Sequence, residues 1–233
     1  RGTIRQKDAV PFGHNISRFA PGRTGLGLTE SLTDVADDLS AQGYAVYEHH
    51  YGLWYDRRRD DHLMVRRVDG TVTPPFYEQP FARSGKGKAW DGLSKYDLTR
   101  FNPWYWNRLS EFAELCEERG MMLVHHNYFQ HNILEAGAHW ADSPWRPANN
   151  INAPELPEPP PYIGDKRLFM AHHFYDVTRP SLRKLHRAYI RQCLDAFENR
   201  ANVIQTTSAE FTGPLEFVQF WLDTIIEWEE EHN

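Results

Sequence analysis

Glu210 lies in the run Thr206-Thr207-Ser208-Ala209-Glu210-Phe211-Thr212-Gly213-Pro214, where an apolar stretch gives way to a helix start. A carboxylate at the carboxyl end of a strand in a parallel α/β fold faces the loops that bind ligands, and there it can give or take a proton. The competing role is to cap the next helix, with Thr212 and Gly213 close by. Glycoside hydrolysis asks for two carboxyl groups, one to protonate the leaving oxygen and one to attack or to activate water. Within this chain Glu48, Asp56 or Glu135 would have to supply the second.

Histidines cluster at two other apolar-to-polar transitions, His49-His50 and His125-His126, and His131 and His139 follow the second. Neighbours in a strand point to opposite faces, so only one of each pair can face a ligand. His50, His126, Asn127 and His131 are suited to hydrogen-bonding sugar hydroxyls, and imidazoles also bind divalent metals. No HExxH or CxxC spacing is present, and neither a metal nor a cofactor is expected. Trp54, Trp90, Trp140 and Trp145 fall in loop-like stretches, where flat apolar faces can stack on pyranose rings or pack the loops down. Arg58, within Arg57-Arg58-Arg59-Asp60-Asp61-His62, belongs to a solvated charge run or pairs with a uronate carboxylate.

Four amphipathic helices must position these groups. They are read at about 31–42, 103–119, 180–199 and from Pro214 nearly to the C-terminus. The second carries the clearest punctuation: Asn102 as N-cap, Pro103 at the first helical position and Gly120 after the end. Its apolar stripe is Tyr105, Leu109, Phe112, Ala113 and Cys116. The fourth is read with Leu215, Val218, Leu222 and Ile225 on one face. Strands are expected at 44–49, 121–126 and 203–208. Helix-to-strand links are minimal, whereas strand-to-helix links at about 50–101 and 127–179 are long. In parallel α/β folds those long links gather at the carboxyl ends of the strands. The alternation predicts an α/β fold of the eight-unit (β/α) barrel type, seen as a single domain holding about four units of a partial barrel.

The net charge of −6 argues against nucleic acid as the main partner, and no apolar run approaches a membrane span. The two cysteines, Cys116 and Cys193, sit at apolar helical positions and read as buried free thiols. Asn15-Ile16-Ser17 fits a glycosylation sequon.

The Glu210 segment resembles the end of the fourth strand in retaining glycoside hydrolases of the large (β/α)-barrel clan that includes the cellulase and β-galactosidase families. There an Asn-Glu pair ends the strand, and the Glu is the general acid/base. Glu210 matches that Glu, while Ala209 stands where those enzymes have the Asn that contacts the sugar 2-hydroxyl. The helix ending Glu117-Glu118-Arg119-Gly120, followed by Met121 to Asn127, looks like the segment that feeds their third strand. The likeness is closest to uncharacterised bacterial proteins of this type. It implies a secreted or periplasmic O-glycosyl hydrolase of plant or microbial polysaccharides or oligosaccharides. It also implies a chain representing the N-terminal half, with the family's nucleophile beyond Asn233. Two other readings stand beside it. One is a metal-dependent barrel hydrolase or isomerase in which three of His50, His126, His131 and Glu210 converge. The other is a non-catalytic carbohydrate-binding relative, favoured by Ala209.

Overall fold

The computed structural model describes residues 31–49, 79–89, 92–128, 140, 143–157 and 167–232. Helix α1 (Leu32–Ala41) starts at Ser31, whose hydroxyl accepts from the Asp34 amide, and buries Leu32, Val35, Ala36 and Leu39. Strand β1 (Val46–His49) follows after Gly43, which adopts φ 78° as helix-ending glycines do. Strands β2 (Phe81–Arg83) and β3 (Tyr96–Phe101) form an antiparallel pair. Helix α2 (Pro103–Glu118) then leads to β4 (Met122–His126). Helices α3 (Arg167–Phe174) and α4 (Pro180–Asp195) precede β5 (Val203–Thr206), and α5 (Leu215–His232) closes the order.

The predicted barrel is corrected here. Among the described residues, β1, β4 and β5 form a three-stranded parallel sheet in that order, and β2 and β3 form a separate two-stranded sheet, so no closed barrel is present. The alternation of helix and strand does dictate parallel pairing. Closure is a further condition, because strand number, tilt and stagger must match around the ring, and periodicity carries none of these.

The segment Tyr96 to Phe101, read as part of a long loop, is strand β3. The hairpin turn is built from local chemistry. The Ser84 hydroxyl donates to the Lys95 carbonyl (2.7 Å), the Arg83 guanidinium donates to the Ser94 carbonyl (2.9 Å), and Gly85 and Gly87 supply positive φ. The hairpin is tied to the start of α2: the Trp106 indole donates to the Pro80 carbonyl and the Asn102 amide group to the Gln79 carbonyl.

Helix α2 begins as its sequence dictates. The Asn102 side chain accepts from the Trp104 amide (3.1 Å) and the Tyr105 amide (3.5 Å), and Pro103 needs no donor. Asn102→Ala is expected to cost about 1–2 kcal/mol in urea unfolding, with faster amide exchange at Trp104 and Tyr105. The stripe Tyr105, Leu109, Phe112, Ala113 and Cys116 is buried throughout. Burial pushes the Cys116 thiol up to about 12 and also raises that of Cys193, so both free thiols stay protonated.

The phase of α5 differs from expectation. Its buried residues are Phe217, Phe220 and Thr224, while Leu215 and Leu222 are exposed. The helix is apolar on several sides, so its periodicity selects no single face. Phe217 decides the matter by packing on Tyr128, Tyr175 and His186.

The two faces of the parallel sheet differ. Tyr47 and His49, Leu123 and His125, and Val203 and Gln205 lie on the face packed with helices. Tyr47 meets Phe112 edge-on at 5.2 Å, and His125 meets Trp106 and Phe197. The opposite face carries Val46, Glu48, Met122, Val124, His126, Ile204 and Thr206. On it Val46, Met122 and Ile204 are about two-fifths exposed (43%, 38% and 44%). Among the described residues, no helix is long and apolar enough to cross a membrane.

Candidate functional site

Strand alternation and register bring three polar side chains to the carboxyl end of the open face. Glu48 pairs with Val124 in register, and His126 pairs with Thr206, so β1, β4 and β5 each contribute one. The Thr206 hydroxyl and His126 Nδ1 are 2.6 Å apart, and His126 Nε2 is 4.0 Å from Glu48 Oε2. The Thr206 hydroxyl can donate to or accept from His126 Nδ1, so the ring is held from that side in either neutral tautomer. Burial lowers the His126 pKa, and the Glu48 charge pulls it the other way. His126 is buried, whereas the Glu48 side chain is 45% exposed. The arrangement is a hydroxyl bonded to a buried imidazole, with a half-exposed carboxylate nearby but beyond hydrogen-bond reach of the ring.

Glu210 follows β5. The β4–β5 ladder runs past both strands, with the Asn127 amide bonded to the Thr206 carbonyl and the Tyr128 amide to the Thr207 carbonyl. The chain then turns, and Glu210 is exposed with φ 51°. Only Ala153 shares a positive φ among described non-glycine residues. This conformation costs roughly 1–2 kcal/mol for a residue with a Cβ, and such strain clusters at functional positions. Helix α5 begins only at Leu215, so Glu210 is not at its N-cap position. Gly213 follows, so close to the Phe211 and Tyr175 rings that a Cβ there would overlap both. The turn is therefore packed against the aromatic core.

The other expected substrate contacts divide sharply. Asn127 is buried and fully engaged. Its amide nitrogen donates to Gln205 Oε1 (2.7 Å) and lies 3.2 Å from His125 Nδ1, its side-chain oxygen accepts from the Trp221 indole (2.7 Å), and its carbonyl accepts from the Tyr189 hydroxyl (2.6 Å). It fastens β4 to β5, α4 and α5. Trp140 and Trp145 are buried at 1% and 0% exposure, so neither offers a stacking face. Trp145 stacks on His186 at 4.8 Å and meets Phe81, Phe174 and Tyr189. His186 itself is held at both nitrogens: Nε2 donates to the Phe174 carbonyl (2.8 Å), so Nδ1 accepts from the Tyr128 hydroxyl (2.9 Å). His50, Trp54, Arg58, Trp90 and His131 lie outside the described residues, as do Asp56, Glu135, His139 and Asn15.

Thr206 is the member of the site that sequence reasoning missed. Alternation alone puts Glu48 on one face of β1 and His126 on one face of β4. It does not give the register that turns both faces the same way. Among the described residues, no group of three His, Cys, Asp or Glu side chains comes together as a metal-ligand set. Of the four residues weighed for such a set, His50 and His131 are outside the described residues.

A family model described as "Domain of unknown function (DUF6298)" matches residues 1–233. No curated protein and no solved structure matches the chain.

Proposed function

Taking as given that the chain belongs to the DUF6298 family, whose description assigns no chemistry, we propose that it is a glycoside hydrolase with Glu210 as general acid/base. Its substrate is a plant or microbial polysaccharide or oligosaccharide, met by a secreted or periplasmic protein. The observation that carries this reading is the exposed carboxylate of Glu210, held at positive φ in the turn after β5. Ligands of open parallel sheets bind at the carboxyl ends of the strands, and a positioned carboxyl group there can protonate a leaving oxygen. The resemblance of the Glu210 segment to hydrolase strand ends supports the same assignment. His126 lies at the same edge, buried and bonded to Thr206, and His50, Trp54, Arg58, Trp90 and His131 are proposed to hold the sugar.

The test is turnover of a panel of soluble polysaccharides and nitrophenyl glycosides, read as reducing ends or nitrophenol. The protein should hydrolyse at least one. Glu210→Gln should lower kcat on that substrate by about 10²–10⁴-fold, with an unchanged thermal midpoint. One observation favours a second reading: Ala209 removes the amide that would contact the 2-hydroxyl. A protein that binds a glycan without cleaving it, equally well as wild type and as Glu210→Gln, would be a carbohydrate-binding relative rather than a hydrolase.

A further inference from the structure

Arginine supplies the cation in the ion pairs of the helices and turns: Arg119 with Asp37, Arg179 with Asp176, Arg187 with Glu227, Arg191 with Glu231 and Arg200 with Glu114. Lysine is used differently. The chain has six, and three of them, Lys86, Lys88 and Lys95, fall within ten residues of sequence, in the turn that joins β2 to β3. Lys86 and Lys88 are exposed and Lys95 is half-buried. Among the described residues, no carboxylate lies within ion-pair distance of any of the three. The carboxylate of β3, Asp97, is taken up by Thr99 and Asn152. The turn also holds the lysines close to one another. The Lys95 amide donates to the Lys86 carbonyl (2.9 Å), which makes the two residues cross-strand neighbours. Gly87 adopts φ 60°, and a Cβ there would meet the Lys95 stem at 3.3 Å. Like charges in cross-strand contact repel, and no described carboxylate offsets that repulsion.

We propose that this turn binds the carboxylates of an acidic polysaccharide, one that carries uronic acids at successive sugars. The proposal names the substrate class for the hydrolase reading above and rests on it for the choice of a glycan. The hairpin lies in the link from β1 to α2, so the chain reaches it from the carboxyl end of the parallel sheet, where ligands of such sheets gather. Trp106 and Asn102 fasten its base to the start of α2. Lysine suits a polymer of this kind. Its ammonium is a point charge with three donors on a flexible stem, so it follows a carboxylate through many orientations, where arginine asks for a fixed bidentate one. A uronate polymer brings one charge per acidic sugar, which three ammoniums can match. Nucleic acid brings one charge for every ~1.7 Å of duplex, and it would also meet the rest of a protein whose net charge is −6. The turn acts by holding the polymer, and that needs no contact between its lysines and Glu210.

Binding is measured by biolayer interferometry on immobilised polygalacturonate and on a neutral galactan, with the full chain carrying Glu210→Gln so that the polymer stays intact. The protein should bind polygalacturonate and not galactan. Binding should weaken as sodium chloride rises from about 20 to about 300 mM, since exposed charges are screened. Lys86→Gln, Lys88→Gln and Lys95→Gln together should raise the Kd by about tenfold or more, with no fall in the thermal midpoint. Replacing the other three lysines, Lys7, Lys166 and Lys184, by Gln makes the same change of net charge and should leave the Kd as it was. Equal loss from the two triple variants overturns the proposal. So does equal binding to galactan, or tighter binding to a single-stranded oligonucleotide than to polygalacturonate. Turnover in the panel separates it from the reading it rests on. A protein that binds polygalacturonate through these lysines and cleaves no glycan sinks the hydrolase and keeps the surface. One that cleaves a neutral glycan and ignores polygalacturonate does the reverse.

Discussion

Trp145→Ala should lower the stability of the folded protein by about 3–5 kcal/mol, read as a fall in the urea midpoint with little change in the slope of the transition. The indole is 0% exposed and packs on His186, Phe81, Phe174 and Tyr189, so its removal leaves a cavity at the centre of the aromatic core. A stacking platform would behave in the opposite way. Its removal would leave the midpoint alone and weaken glycan binding. Measuring both quantities on one variant separates the two roles. A Trp145→Ala protein as stable as wild type would contradict the packing described here.

Acidification provides the second large effect. Burial pushes both His125 and His186 down to about 4, from an ordinary value of 6.5. Above pH 6.5 both imidazoles are neutral in the folded and the unfolded chain, and neither penalises folding. As the pH falls, the unfolded chain takes up protons that the folded one refuses, so stability declines until the folded-state value is reached. Each histidine accounts for about 3 kcal/mol over that window, which together is comparable to the whole stability of an ordinary domain. The urea midpoint should therefore fall steadily from pH 6.5 towards pH 4. His186→Gln should remove about half of that dependence. A midpoint that stays flat across this window would mean that the two rings are solvated.

Helix α2 was legible because its punctuation is local. Asn102, Pro103 and Gly120 specify its ends whatever surrounds them, and its stripe is apolar on one side only. Strands β1, β4 and β5 were legible as short apolar runs after helix stops. The hairpin β2–β3 was hidden because its strands are short and a register shift between Phe81 and Ala82 breaks the alternation. Helix α3 was hidden inside a stretch read as loop, since eight residues are too few for a period to stand out. At the site, the position of Glu210 at a strand end could be read from order alone. The fates of Trp140 and Trp145 could not, because aromatic content looks the same whether the rings line a cleft or fill a core. Asn127 misled for a related reason. A polar residue after a strand reads as a ligand contact, yet three of its four partners lie on β5, α4 and α5, distant in sequence.

The row His49, His125 and Gln205 bears on how the chain avoids folding errors. His49 bonds the Tyr105 hydroxyl (3.0 Å), His125 Nδ1 is 3.1 Å from Gln205 Oε1, and Gln205 Nε2 donates to the Cys193 carbonyl (2.8 Å). A parallel sheet with apolar residues on both faces tolerates slippage, because Val124 could fill the place of Leu123 at small cost. A one-residue slip of β4 would turn His125 and Asn127 outward together and leave Gln205 facing apolar neighbours under the helices. The row adds little to net stability, since each group has exchanged water for a protein partner. Its effect is discrimination: it raises the energy of the wrong pairings, so one alignment of the three strands wins during folding.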